Sequence, residues 1–297
     1  MFLYFFILLK YTETEQREEE IKIKKIRFTI PYFIKEKIKE DEIHFNLLTG
    51  EIGNKLFNYY SNKEVGNLNI KFSKGEIIQF NLNKLNDELY YIVLKEHEVQ
   101  NEAEFFRNIF LKYLDNPRYI REQILFSEIF EKLQLALKEK KKVNIKYSGE
   151  IRTINPYFLK VAPGEDRTYI FSYCEKNKDY RNYRVANIEN ISLSKYDIEI
   201  KDLEYINNID KNFDPFLSFG KNITIKINRE GQKLFERVIL NRPKILEKKG
   251  DIWLLECTNR LAKIYFPQFL ANVEILEPFD LREWFRKELK KSLDRYL

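Results

Sequence analysis

Between residues 143 and 194, tyrosines and arginines recur on short alternating segments. Tyr147 closes the run Val143-Asn144-Ile145-Lys146-Tyr147, and Arg152 follows five residues later. Tyr169 lies in Thr168-Tyr169-Ile170, and Arg181, Tyr183 and Arg184 lie in Tyr180-Arg181-Asn182-Tyr183-Arg184. A strand sends every second side chain to the same face, so Arg181 and Tyr183 share one side and Asn182 and Arg184 the other. Guanidinium planes donate paired hydrogen bonds to phosphate, and aromatic rings accept stacked bases. Tyr147, Arg152, Tyr169, Arg181, Tyr183 and Arg184 are therefore the candidate ligand-binding set, for a nucleotide, single-stranded DNA or RNA. The plainer reading of the same residues is a small β domain with an amphipathic surface.

A second candidate set lies nearer the N-terminus. Ile26, Phe28 and Ile30 alternate with Lys25, Arg27 and Thr29, and Ile78, Phe80 and Leu82 alternate with Gln79, Asn81 and Asn83. Arg and Lys suit guanine edges, whereas Gln and Asn bond adenine in pairs. Lys25, Arg27, Thr29, Gln79, Asn81 and Asn83 are the candidate DNA-binding residues.

Other chemistries find little support. The two cysteines, Cys174 and Cys257, have no CxxC spacing, and the two histidines, His44 and His97, are far apart. No zinc-type cluster follows from local spacing. No nucleophile elbow, P-loop, HExxH or dinucleotide fingerprint is found. The expectation is a non-enzyme with no catalytic residues, metal or cofactor, and Cys174 reads as a small buried strand residue.

The elements that would carry these residues follow from periodicity. After the first alternating segment come helical faces at Ile34 and Ile38, then at Ile52, Leu56, Phe57 and Tyr60, with Thr49 as the expected N-cap. The same grammar returns about fifty residues later, as in an internal repeat. There the expected faces are Leu85, Leu89, Ile92 and Val93, then Phe106, Ile109, Phe110, Tyr113 and Leu114. This order resembles the ribbon–helix–helix fold, and Gln79-Phe80-Asn81-Leu82 is similar to the reading strand of Arc-type repressors. The resemblance implies two strands paired as a ribbon that enters the major groove of double-stranded DNA. Here one chain would supply both strands as a pseudo-dimer. Helix N-termini near Thr49 and Asn101 would offer free amides to phosphate.

The middle of the chain resembles the WYL domain. The matching residues are Ile145, Tyr147, Arg152, Pro156, Tyr157, Tyr169, Ile170, Arg181, Tyr183, Arg184 and Ile188. Thr168 stands where the family usually has Trp, and Asn187 where a basic residue is common. The resemblance implies an SH3/Sm-like β-barrel. The C-terminal order of strands and helices is similar to the WCX extension that follows WYL domains, most clearly at 273–278, Leu281 and Arg282. In that family it supports dimerisation or completes effector binding, so a homodimer through this part is an expectation.

The expected fold class is α+β: a ribbon–helix–helix pseudo-dimer, a central WYL barrel and a WCX-like α+β domain. The expected boundaries are 1–20 for an N-terminal segment, 21–116, a connecting helix at 117–141, the barrel at 142–200, a linker at 201–221, and 222–297. The 297 residues are 44% hydrophobic and 33% charged, with net charge +6. That balance suits a soluble globular chain and permits a nucleic-acid partner without requiring one. Residues 1–9 are all apolar, but a membrane span needs about 20 such residues. They are read as a misplaced start or a buried extra strand, and 13–20 as a solvated linker. No membrane partner is expected, and the expected compartment is the cytoplasm.

Three functions remain open on these grounds. The first is a DNA-binding transcriptional regulator whose WYL domain senses a nucleotide or single-stranded nucleic acid. The second is an RNA-binding CRISPR-associated WYL accessory protein. The third is an interaction protein that binds no nucleic acid.

Overall fold

The computed structural model describes residues 23–297 apart from 67, 69, 71, 163 and 165. The apolar and acidic stretches at 1–20 lie outside the described residues. The chain divides into two compact units, one ending at Leu125 and the other running over Phe126–Leu297. Helix and strand are mixed in both, as α+β requires.

In the first unit, β1 (Lys25–Pro31) is followed by α1 (Tyr32–Phe45) and α2 (Thr49–Tyr60). Then β2 (Gly75–Asn81) is followed by α3 (Lys84–Glu96), α4 (Glu102–Leu114) and α5 (Arg118–Leu125). β1 and β2 pair antiparallel, with Lys25 opposite Asn81, Arg27 opposite Gln79 and Thr29 opposite Ile77. Ile26, Phe28 and Ile30 are buried beneath this ribbon, as are Ile78, Phe80 and, just past β2, Leu82. Phe106 and Phe110 of α4 meet the inner rings: Phe28 lies 5.3 Å from Phe110, and Phe80 lies 6.1 Å from Phe106. On α2, a Cβ at Gly53 would lie 2.5 Å from the Phe80 ring, so only glycine lets helix and ribbon approach this closely.

A two-fold axis through the Arg27–Gln79 pair relates the halves of the ribbon. It exchanges Ile26 with Ile78, Phe28 with Phe80, and Ile30 with Leu82, so the buried rows match in type. The backbone ties match too. Asn54 of α2 donates to the Asn81 carbonyl at 3.0 Å, and Arg107 of α4 donates to the Thr29 carbonyl at 2.8 Å. Asn81 and Thr29 are equivalent under the same axis.

One polar cluster is buried in this unit. Asp41 of α1 is fully buried, accepts from the Tyr113 hydroxyl at 2.7 Å, and forms an ion pair with Arg121 of α5. Burial raises its carboxyl pKa above the ordinary aspartate value, against the pull of Tyr113 and the two arginines 121 and 118.

The second unit opens with α6 (Ser127–Glu139), which packs against β3 (Lys141–Tyr147), β4 (Glu150–Ala162) and β7 (Ile188–Asp197). With β5 (Arg167–Cys174) and β6 (Asp179–Arg184), these strands form one antiparallel sheet in the order β6-β5-β4-β3-β7. β3 and β4 meet in a two-residue turn at Ser148 and Gly149, both with positive φ, as a tight hairpin demands. α7 (Leu203–Lys211) covers the sheet through Ile206 and Ile209, which pack with Phe171 and the partly buried Tyr157, Phe158 and Tyr180.

The last stretch holds β8 (Asn222–Ile227), α8 (Arg229–Arg237), β9 (Lys244–Lys249), β10 (Ile252–Glu256), α9 (Asn259–Tyr265), β11 (Val273–Glu277) and α10 (Phe279–Leu293). Its sheet order, β11-β8-β10-β9 and antiparallel throughout, is the ferredoxin-like βαββαβ arrangement with one helix added. Ile223, Ile225, Ile227, Trp253 and Leu255 face the core shared with Phe235, Tyr265 and Phe269.

Several expectations are corrected. The central domain is not a closed barrel: β6 and β7 are the outer strands, and among the described residues no ladder joins them. The connecting helix expected over 117–141 is two helices, α5 and α6, separated at Phe126, whose φ of −117° and ψ of 30° are not helical. The linker expected over 201–221 contains α7, because Ile206 and Ile209 bury among polar neighbours that hide them from a composition reading. On α3 the buried residues are Asn86, Tyr90 and Val93, while Leu85 and Ile92 of the expected face are exposed. Thr49 is the first residue of α2 rather than its cap.

Replacing Asp41 by Ala leaves Arg121, itself 9% exposed, without its carboxylate. Breaking such a buried pair costs about 3–5 kcal/mol. Thermal melts followed by circular dichroism are expected to show a clearly lowered midpoint for Asp41→Ala, and a much smaller change for Lys39→Ala, whose pair with Glu36 lies on the surface.

Candidate nucleic-acid interface

The central sheet brings one set of candidates together because β6 is an outer strand. Tyr147 ends β3 at the hairpin, and Arg152 leaves the same hairpin on β4. Tyr169 of β5 sits opposite Arg184 of β6, and Ile170 sits opposite Tyr183. An outer strand has no neighbour on one side, so side chains from both of its faces can reach a cleft along that edge. All six predicted residues, Tyr147, Arg152, Tyr169, Arg181, Tyr183 and Arg184, line one cleft of about 570 Å³. Among the described residues, the lining holds six basic side chains (Arg152, Arg167, Arg181, Arg184, Lys221 and Arg260) and one carboxylate, Asp179. Such an excess focuses positive potential inside a concave wall.

The rings differ in what they can do. Tyr183 is 3% exposed and meets Tyr147 edge-on at 5.0 Å. Burial pushes its phenol pKa well above the ordinary tyrosine value, so it stays neutral. Tyr180 lies flat on Phe171 at 5.5 Å, sealing the α7 side. Tyr169 and Tyr147 are only half-buried, leaving ring surface toward the cleft. Arg152 is held by Glu150 at 2.7 Å and by Asn177 at 3.0 Å, which fixes its guanidinium before any ligand arrives.

The opposite wall was not foreseen. Asn182 donates to the Asp214 carbonyl at 3.1 Å, and the Asp214 carboxylate accepts from the Phe216 and Ser218 amides at 3.1 and 2.7 Å. This turn sets Phe216 at the cleft, with the Arg260 guanidinium over its ring at 5.8 Å. Arg167 could have been found, since it lies two residues before Tyr169 on one strand face. Lys221 and Arg260 arrive from the ferredoxin-like part and carry no local signal. Thr168, where the family usually carries Trp, is 2% exposed, so its side chain faces inward, away from Arg167 and Tyr169.

In the first unit, Lys25, Arg27, Gln79 and Asn81 are exposed and Thr29 half-exposed on the outer face of the ribbon. Among the described residues, no ion pair holds Lys25 or Arg27. Asn83 departs from this row: it lies past β2, and its side chain caps α3 by accepting from the Asn86 amide at 2.9 Å. Asn101 caps α4 in the same way, accepting from the Glu104 amide.

Residues 128–193 match the family model for the WYL domain. The chain carries a WYL domain. The match begins inside α6, the helix that packs against β3, β4 and β7. A crystal structure described as that of a CRISPR Cas-related protein superposes over 95% of this chain and 96% of that one, with TM-score 0.66 and 12% identity. At that identity the likeness is one of fold. Proteasome accessory factor B/C of Arthrobacter aurescens aligns over 76% of this chain and 39% of its own, at 13% identity with TM-score 0.31, too low to carry an argument. No curated protein matches the chain. Among the described residues, no helix is long and apolar enough to cross a membrane.

The burial difference between the WYL-domain tyrosines separates folding from binding. Tyr183→Ala is expected to lower the melting midpoint, since emptying a buried aromatic site costs about 3–5 kcal/mol. Tyr169→Ala is expected to lower the midpoint less than Tyr183→Ala and, if the cleft takes a single strand, to weaken that binding by about 1–3 kcal/mol, the worth of one stacked base. Paired thermal melts and fluorescence anisotropy with labelled oligonucleotides check both.

Proposed function

We propose that this chain is a DNA-binding transcriptional regulator whose WYL domain senses a nucleotide or a single-stranded nucleic acid. The observation that carries the reading is the in-register pairing of β1 with β2. It gathers Lys25, Arg27, Thr29, Gln79 and Asn81 on one exposed face over a buried apolar floor. A two-stranded ribbon fits the major groove, and such side chains suit base edges. The β1-α1-α2 and β2-α3-α4 order supports a ribbon–helix–helix pseudo-dimer. The arginine- and tyrosine-lined cleft supports an anionic, base-bearing ligand there. For the ligand to regulate, it must bind the DNA-competent and incompetent states with different affinity. The βαββαβ part supports a WCX-like extension. On α10, Leu289 and Leu293 are exposed, which favours a homodimer through this part. Leu289→Glu is then expected to shift sedimentation toward monomer.

A second reading, an RNA-binding accessory to CRISPR systems, is favoured by the whole-length fold likeness to the CRISPR Cas-related protein. Binding of Asn81→Ala and Arg184→Ala to duplex DNA and to single-stranded RNA, each across a salt series, separates the two. The regulator reading expects Asn81→Ala to weaken duplex binding and Arg184→Ala to weaken single-strand binding. It also expects the salt slope of Arg184→Ala to fall by about 1 for each phosphate that the arginine neutralises in the parent. If only Arg184→Ala has an effect, and only on single strands, the accessory reading replaces it. Binding to neither polymer, or binding without salt dependence, removes both.

A further inference from the structure

The two-fold axis of the ribbon holds for the buried rows and fails for the exposed ones. Beneath the ribbon it exchanges Ile26 with Ile78 and Phe28 with Phe80. On the outer face it exchanges Lys25 with Ile77, Arg27 with Gln79, and Thr29 with Asn81. No outer pair agrees in chemistry. Ile77 is 50% exposed, so an apolar side chain stands on a face where its counterpart is a lysine. The ribbon therefore has a direction. Lys25 and Asn81 lie at one end, Arg27 and Gln79 face each other in the middle, and Thr29 and Ile77 lie at the other end.

The six outer side chains divide among three kinds of base edge. Arg and Lys donate to the guanine O6 and N7 acceptors. Gln and Asn pair with adenine N6 and N7, and the methyl groups of Thr and Ile pack against the thymine methyl. A symmetric ribbon would place equal preferences on the two DNA strands and select a palindrome. This one places a guanidinium on one strand and an amide on the other.

Given the groove-entering role proposed above, we infer that the ribbon reads a directional duplex element that is not its own reverse complement. Guanine lies under Lys25 and Arg27, adenine lies under Gln79 and Asn81, and thymine methyls lie toward Thr29 and Ile77. If two chains bind together, the element repeats, but each copy keeps its direction.

Selection from a randomised duplex library with the full chain tests this. The expected consensus unit is non-palindromic, with guanine and adenine at its centre on opposite strands. Arg27→Ala is expected to lose about tenfold or more of the discrimination at the guanine position alone, and Gln79→Ala at the adenine position alone. Both side chains are exposed, so thermal melts should match the parent. The double exchange Arg27→Gln with Gln79→Arg swaps the two central preferences while the outer positions stay fixed. A unit that equals its own reverse complement overturns the inference and leaves the groove-entering role intact. So does an unchanged consensus after the double exchange. Absence of any duplex binding overturns both.

Discussion

A two-stranded ribbon cannot stand alone in water, because it has one buried face at most and too few strands to cover it. The first unit is arranged around that constraint. Ile26, Phe28 and Ile30 and their counterparts Ile78, Phe80 and Leu82 need a floor, and α4 supplies it with Phe106 and Phe110. Gly53 lets α2 come close enough to cover Phe80. Asn54 and Arg107 then hold the strand carbonyls from below, so the ribbon is tied down without using its outer side chains. Asp41, Tyr113 and Arg121 pin the surrounding helices from within.

The WYL domain solves a different problem. Its sheet leaves β6 as an outer strand, and the chain returns over it after residue 200. α7 seals the sheet with Ile206 and Ile209, and the Asp214 turn then places Phe216 across from the arginines. The cleft is thus a joint product of the sheet and of the ferredoxin-like part that follows. Charge, neutral phenol and half-buried rings occur together there because the edge of a sheet exposes both of its faces.

Period-two alternation made most of this legible in the sequence. It placed Ile26, Phe28, Ile30, Ile78 and Phe80 inward, whereas the cleft residues Tyr169, Arg181 and Arg184 were marked by the recurrence of tyrosine and arginine and by the WYL resemblance, since alternation alone puts Arg181 and Arg184 on opposite faces. Where apolar residues are sparse, alternation and helical spacing fail. Ile206 and Ile209 sit among asparagines and charges, so α7 read as linker. On α3 the exposed Leu85 and Ile92 outweighed the buried Asn86 and Tyr90, because a hydrogen-bonded amide can be core while a leucine is surface. Barrel closure depends on pairing between β6 and β7, which no local pattern encodes. Lys221 and Arg260 meet the cleft only through tertiary folding.

If the ribbon reads DNA as proposed, its exposed row has a consequence for how that recognition can change. When two identical chains build a ribbon, every substitution appears twice, once in each strand. A single codon change then alters paired positions together, and a tolerable new side chain must suit both. In this chain the strands are encoded separately, so Arg27 can mutate while Gln79 stays. Each evolutionary step alters one position of the face, leaving the shared apolar floor and its neighbours untouched.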